Sequence, residues 1–135
     1  MSRQQLLLGL CLLPLTATAD PSLSSGQERL LGELRSCLDA LPRWSASTIV
    51  SPRAEKDVRS LLGIARVTFL AKLGRPDWCS TAQEQFMPWS EQTCVSAPTW
   101  GYSFYRIPAL GGGPELQLTF SSLQEATAVE WVHTR

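Results

Sequence analysis

The chain divides at Gly74 and Pro76, because the hydrophobic pattern before these residues differs from the pattern after them. Upstream, apolar residues recur at the three- and four-residue spacing of amphipathic helices, and downstream they alternate with polar residues as in half-buried strands. A glycine just past a helix, followed by a proline that cannot continue it, is a firm stop signal. The sequence therefore predicts an α+β fold in which helices precede a sheet.

Three helical segments are predicted upstream of this stop. Ser25 and Glu28 have the spacing of a capping box, and a leucine stripe follows them. The Ser-Pro pair at positions 51–52 places a serine cap before a proline in the first turn, which begins a second helix. Gly63 then predicts a break before a helix over residues 65–73, although one continuous helix through Gly63 also fits the apolar stripe.

Three strands are predicted downstream, and their short links favour antiparallel neighbours. Because one face of this sheet is apolar, the helices must cover it. We expect two layers, with the helices packed on one face of a three-stranded antiparallel meander and an extra helix at the N-terminus. The apolar positions that define the strands are Trp100, Tyr102 and Phe104, then Leu116, Leu118 and Phe120, then Val129 and Trp131.

Residues 1–19 have the features of a secretory signal peptide. Arg3 precedes a short apolar run at 6–15, and an A-x-A site at 17–19 follows it. The run is too short for a membrane-spanning helix, which takes about 20 residues, so we expect no transmembrane segment after processing. The mature chain, residues 20–135, is predicted to be one small domain in the periplasm, with secretion as the alternative.

Cys11 lies within this leader and raises the question of a lipid anchor. The residue before it is Leu10, whereas lipoprotein signals resemble one another in carrying a small residue there. We therefore expect no lipid anchor at Cys11.

Charge and motif content argue against nucleic-acid binding and catalysis. The chain has 12 basic and 12 acidic residues without a run of like charge, whereas nucleic-acid binding needs a basic surface. His133, the single histidine, has no G-x-S-x-G motif beside it, and the glycines at 111–113 lack the lysine of a phosphate-binding loop. Asp77, Glu84 and Glu91 lie on a polar loop, where carboxylates are usually solvated. We predict no catalytic residue, cofactor or metal site, and a hydrolase that uses His133 is the alternative.

The segment from Gly63 to Pro76 resembles the SmpA/OmlA family, the BamE-like small cell-envelope proteins. The shared frame is a glycine, a hydrophobic residue six positions later, and then L-G-x-P. A W-x-Y-x-F segment at 100–104 and an L-x-L-x-F segment at 116–120 follow in the order that the family has. These motifs are similar to two successive strands of the family in both order and spacing.

The resemblance covers residues 51–132 and implies a helix–helix–three-strand domain over 51–135, preceded by an N-terminal helix and linker over 20–50. It also implies a non-enzymatic protein-interaction module of the cell envelope, linked to outer-membrane assembly or maintenance. A secreted inhibitor-type binding protein is the alternative. Ala65 departs from the family, which has threonine or serine as the helix cap at that position.

Cys79 and Cys94 lie on either side of a polar loop. Metal sites typically use ligand pairs two to four residues apart and redox pairs use C-x-x-C, and this pair has neither spacing. The sequence therefore predicts a structural disulfide, worth roughly 3 kcal/mol through the loss of unfolded-state entropy. Cys37 lies within a leucine stripe, which predicts a buried, inert thiol; pairing with a second chain, or with Cys79 or Cys94, is the alternative.

Four apolar residues at 86–89, within this loop, form a cluster with two alternative roles. Folded back, they would cap the end of the core, since bulky aromatic residues are mostly buried. Pointing outward, they would form a partner site, because exposed apolar patches mark interaction surfaces. The candidate partner surface comprises Phe86, Met87, Trp89 and, on the outer face of the sheet, Tyr105.

Overall fold

The computed structural model describes residues 23–40, 55–104 and 113–134. Several predictions fall outside these residues: the signal peptide with Cys11, the helix start at 51–52, the glycines at 111–112, and Tyr105.

The described residues form helices in the first half and a sheet in the second. The helical elements are α1 at Ser25–Ala40, a 3-10 helix at Glu55–Leu61, α2 at Arg66–Leu73 and α3 at Glu91–Cys94. The strands are β1 at Trp78–Ser80, β2 at Phe86–Pro88, β3 at Thr99–Ser103, β4 at Gly113–Phe120 and β5 at Ala126–Thr134. Within these ranges, no helix combines the length and the apolar character that a bilayer crossing requires.

The strands of the described residues belong to one five-stranded antiparallel sheet with the order β2-β1-β3-β4-β5. The predicted three-stranded meander is therefore wrong, because the loop between α2 and β3 contributes two further strands. β1 pairs Cys79 with Met87 of β2 on one side, and pairs Trp78 with Gly101 of β3 on the other. Each added strand has three residues, which is too few to show the alternation by which a strand is recognised in a sequence.

The three predicted strands lie within β3, β4 and β5, and their apolar positions face the core. Trp100 is paired with Leu118 and Tyr102 with Leu116, and all four side chains are fully buried. The short link that the sequence predicts between the second and third of these strands is a turn, in which the amide of Ser121 donates to the carbonyl oxygen of Glu125 over 3.0 Å.

Helices α1 and α2 pack on the core-facing side of this sheet. Leu31 and Leu34 of α1 and Phe69 of α2 are fully buried in the same cluster as the strand residues. The Phe69 ring meets the Phe120 ring of β4 edge to face, with the ring centroids 5.9 Å apart. The opposite face of the sheet, called the outer face below, is the face that Trp78 and Gly101 share.

The capping box of α1 lies one residue before the predicted position. The Ser24 hydroxyl accepts a hydrogen bond from the amide of Gln27 at 3.1 Å, and the Gln27 side chain accepts one from the amide of Ser24 at 2.9 Å. Glu28, the predicted partner in the capping box, instead forms an ion pair with Lys72 of α2 at 3.4 Å. The first residue of α1 is therefore Ser25, and the cap is Ser24.

The predicted break at Gly63 is confirmed, and the single long helix is wrong. Gly63 has φ +83°, a conformation that favours glycine, and its amide donates to the carbonyl oxygen of Ala126 at 2.8 Å. Ala65 precedes α2 without any side-chain cap. The amide of Arg66 instead donates to the carbonyl oxygen of Gln124 at 2.9 Å, so the β4–β5 turn satisfies the start of α2. Gly74, with φ +80°, ends α2 as predicted.

Candidate interaction surface on the disulfide-linked hairpin

The predicted disulfide between Cys79 and Cys94 is present and ties β1 to the end of α3. The two Cα atoms lie 5.5 Å apart, and both cysteines are fully buried. Cys37 is a free, half-buried cysteine that packs against the core, so its alternative pairing with Cys79 or Cys94 is wrong. Burial, followed by the nearby Glu33 carboxylate, raises the pKa of the Cys37 thiol.

Arg66 holds the chain that follows α3. Its guanidinium donates from Nη1 to the carbonyl oxygens of Val95 at 3.0 Å and Ala97 at 2.6 Å. The same group lies over the rings of Trp100 and Phe120, with its Cζ atom 5.0 Å and 4.2 Å from their centroids. The side chain is only 5% exposed, and this burial lowers its pKa.

Two further contacts fix α3 and the disulfide against the sheet. The Trp100 indole donates from Nε1 to the carbonyl oxygen of Cys94 at 2.6 Å. Trp89 follows β2 and packs edge to face on Trp100, with the ring centroids 5.4 Å apart. The segment from β1 to α3 is therefore closed on itself by the disulfide and held to β3 by a hydrogen bond and ring packing.

The 86–89 cluster divides between its two predicted roles. Met87 and Trp89 are half-buried and pack against the core, whereas Phe86 is 66% exposed and Pro88 is also exposed. The division follows from the strand, because successive side chains of β2 point to opposite faces of the sheet. Tyr105 lies outside the described residues. Of the candidate partner surface, Phe86 is thus the described residue that presents a large apolar side chain to solvent.

The Phe86 ring packs against the Trp78 ring. The two ring centroids lie 4.8 Å apart with an interplanar angle of 39°. Trp78 is 9% exposed and does not belong to the core cluster, because it lies on the outer face. It occupies the space above Gly101, where a Cβ atom would overlap the indole. Sequence reasoning missed Trp78, because a strand of three residues is too short to show alternation in the sequence.

Polar side chains continue the outer face beyond Trp78. The amide of Ser103 donates to the Asp77 carboxylate at 2.7 Å, and the Ser103 hydroxyl donates to Glu115 at 3.3 Å. Gln117 donates to the other Glu115 oxygen at 3.5 Å, and Glu115 is buried. Hydrogen bonds within the sheet hold these acidic side chains, which therefore stabilise the outer face on which Trp78 lies.

The residues considered for catalysis are dispersed. His133 is exposed near the end of β5, and Glu91 forms an ion pair with Arg75 at 2.6 Å. Asp77 accepts the Ser103 amide, and Glu84 lies in the β1–β2 turn with φ +59°. In the described part of the chain, no cluster of three or more histidine, cysteine, aspartate or glutamate residues could hold a metal ion.

A second exposed apolar region lies at the start of α2 and in the β4–β5 turn. Val67 is 72% exposed at the start of α2, and Leu123 is 78% exposed in the β4–β5 turn. An open groove of about 480 Å³, lined in part by Leu62 and Val67, runs beside the start of α1. Unlike Phe86, neither Val67 nor Leu123 lies in the disulfide-linked segment.

No family model, curated protein or solved structure matches this chain.

Proposed function

We propose that this chain is a non-enzymatic protein-interaction module of the cell envelope that binds its partner through Phe86. One observation carries the proposal: an aromatic side chain, 66% exposed, stacks on Trp78 within a hairpin that a disulfide ties down. Exposed aromatic anchors dominate binding energy when they enter a pocket on the partner. The resemblance to the SmpA/OmlA family supports a periplasmic location and a link to outer-membrane assembly or maintenance.

Preorganisation supports Phe86 as the binding residue. Ordering a side chain or a loop on binding costs free energy, and a surface that is already held avoids that cost. The Phe86 ring packs on the Trp78 ring, and the Trp78 indole lies over Gly101. The Cys79–Cys94 disulfide links the hairpin to α3. Val67 and Leu123 are exposed to a similar degree but have no ring contact of this kind among the described residues.

The charge of the segment indicates the character of the partner. Residues 76–105 contain no lysine or arginine, and Glu84 lies in the β1–β2 turn next to Phe86, whereas Glu91 is paired with Arg75. Opposite charges steer association and fix the register of a complex. We therefore expect a partner that presents an apolar pocket bordered by basic groups, and we expect binding to weaken as salt is raised.

Crosslinking and affinity capture from envelope extract test this proposal. Wild-type protein is compared with Phe86→Ala and with the matched control Leu123→Ala, which removes an equally exposed apolar side chain elsewhere. We expect the wild type and the control to capture the same envelope protein and Phe86→Ala to capture at least about tenfold less, as for an interface hot spot. Equal capture by all three would contradict the proposal.

The same experiment separates the alternative of a secreted inhibitor. A hairpin that holds one aromatic side chain outward could also occupy an enzyme cleft. In that case the protein is recovered from culture supernatant in complex with an enzyme whose activity it reduces, rather than with an envelope component.

A further inference from the structure

We propose that Phe86 is held in its exposed position on the hairpin only when the Cys79–Cys94 disulfide has formed. In this proposal the disulfide unit, defined as β1, β2 and α3 (residues 78–94), folds only when the bond forms, whereas the helices and strands β3 to β5 fold without it. The inference rests on the proposed function for the role of the surface, but its structural content can be tested without a partner.

The disulfide unit is built from elements that are too short to be stable alone. β1 and β2 have three residues each and α3 has four, whereas an isolated helix shorter than about 12 residues is marginal. An isolated two-stranded hairpin is marginal as well. By contrast, β4 and β5 have eight and nine residues and contribute buried side chains to the core. The two parts of the fold therefore depend differently on the bond.

Among the described residues, three side-chain hydrogen bonds hold the end of α3 and the chain just after it. Trp100 donates to the carbonyl oxygen of Cys94, and Arg66 donates to those of Val95 and Ala97. The ion pair between Arg75 and Glu91 joins side chains that are 71% and 63% exposed, so solvent screens it and it contributes little. Without the disulfide, three hydrogen bonds and the packing around them would have to hold α3 against the entropy of the released loop.

Burial of both cysteines makes the oxidised state persistent. Disulfide exchange requires a thiolate to reach one of the two sulfur atoms, and both cysteines are fully buried. A reductant can therefore act only after α3 has moved away from β1. Arg66 is a positioning residue for this step, since its guanidinium holds the two carbonyl groups that follow α3.

Formation of the bond is a balanced exchange with a disulfide donor, either a small-molecule disulfide or a protein disulfide. The thiolate of one cysteine attacks the donor disulfide, forms a mixed disulfide and releases one donor thiol. The thiolate of the other cysteine attacks the sulfur of the first, forms the Cys79–Cys94 bond and releases the second donor thiol. The two cysteines lose two electrons and two protons, and the donor gains them as two thiols.

Hydrogen exchange of the full chain tests the two-part behaviour. Oxidised protein is compared with protein that has been reduced while unfolded and then refolded in dithiothreitol. We expect reduction to lower amide protection in residues 78–94 by about 100-fold, the size of the loop-entropy effect, and to change protection in β4 and β5 by less than about threefold. Unchanged protection in 78–94 would overturn the proposal, and so would global unfolding of the reduced chain.

The rate of native-state reduction provides a second measurement. We expect dithiothreitol to reduce the oxidised chain at least about 100-fold more slowly than it reduces the urea-unfolded chain, because opening must come first. Arg66→Lys should speed native reduction by about tenfold, since lysine cannot reproduce the planar stacked contact, while the control Arg75→Gln should change it by less than about twofold. Equal rates for folded and unfolded protein would contradict burial of the bond, and an Arg66→Lys rate equal to wild type would contradict the role of Arg66.

The results of the two proposals can be distinguished. If Phe86→Ala captures its partner as well as wild type does, the proposed function fails while the oxidation-dependent unit stands. If the reduced chain keeps its protection in residues 78–94, the oxidation dependence fails while Phe86 remains the candidate anchor.

Discussion

The indole of Trp78 occupies the space above Gly101, on the face of the sheet opposite the helices. β1 and β3 pair these two residues directly, so the missing side chain at position 101 makes room for the ring. Phe86 then stacks on Trp78 with the ring centroids 4.8 Å apart. The position of the exposed aromatic side chain therefore depends on a glycine two strands away.

Gly101→Ala should displace Trp78 and with it Phe86. The added Cβ atom would overlap the indole, and overpacking of this kind costs about 1–3 kcal/mol in the free energy of unfolding. Urea unfolding followed by tryptophan fluorescence measures both the stability and the change in the indole environment. The matched control is Gly32→Ala, since no heavy atom lies within 4 Å of a Cβ there and the residue lies within α1. That control should stabilise by up to about 1 kcal/mol, and equal behaviour of the two variants would refute the contact.

Arg66→Met should destabilise the protein although it replaces a charged residue by an apolar one. The change removes the side chain that donates to the carbonyl oxygens of Val95 and Ala97. The first of these hydrogen bonds is part-buried and the second is buried, so their loss should cost about 2–4 kcal/mol in the free energy of unfolding. Thermal and urea unfolding measure this loss. Arg75→Gln serves as the control, because its exposed ion pair with Glu91 should contribute less than about 1 kcal/mol. A stability of Arg66→Met equal to that of wild type would show that the buried cation is dispensable.

Stability should decrease in alkaline solution because of Tyr102. Burial, followed by the Asp77 carboxylate, raises the pKa of Tyr102, while Arg35 acts in the opposite direction. A raised pKa means that the folded state favours the neutral phenol. Its contribution is therefore fully present below the unfolded-state pKa of about 10, and it is lost above that pH by about 1.4 kcal/mol per pH unit.

Tyr102→Phe tests this contribution. The variant loses the hydrogen bond from the phenol to the carbonyl oxygen of Gly74, 2.8 Å long, so it should be less stable at neutral pH by about 1 kcal/mol. It should also show a smaller decline of unfolding free energy between pH 9 and pH 11, near the ordinary tyrosine pKa of about 10. Parallel pH profiles for variant and wild type would exclude Tyr102 as the source.

Cys37 should react slowly with iodoacetamide in the folded protein. Burial and the Glu33 carboxylate raise the pKa of this thiol, and the thiolate is the reactive form. Glu33→Gln removes the negative charge, which lowers the pKa and should raise the alkylation rate near pH 8 by less than about fivefold, as for a partly exposed charge. Glu84→Gln, which changes a carboxylate in the β1–β2 turn, should leave the rate unchanged. A rate for Glu33→Gln at or below wild type would contradict the electrostatic assignment.

Part of the fold was predictable because its signals are local. Gly74 ends α2 and Gly63 separates two helical segments, and both positions have the positive φ that glycine accepts readily. The apolar faces of β3 and β4 follow from alternation over enough residues to be recognised, and Trp100 and Leu118 meet in the core. The cysteine pair was also predictable, since its spacing excludes the common metal and redox motifs.

Other features were ambiguous because two local solutions are equivalent. Ser24 with Gln27 and Ser25 with Glu28 have the same capping-box spacing, and only one can cap α1. The Glu28 carboxylate is engaged by Lys72 of α2, which favours the earlier capping box. The burial of Arg66 could not be predicted from the sequence either. A charged residue at the start of a helix is usually solvated, and the burial of Arg66 depends on carbonyl groups about 30 positions later.

The sequence alone determined the break at Gly63 and the end of α2 at Gly74, which residues of β3 and β4 face the core, and that Cys79 and Cys94 are bridged, because each depends on chain geometry within a few residues or on spacing. The tertiary structure decided that the bridged loop adds β1 and β2 to the sheet and that Phe86 points outward while Met87 points inward. Strands of three residues have no periodicity of their own, so their existence and their faces are set by pairing with β3. The exposed position of Phe86 is therefore a consequence of packing between distant segments.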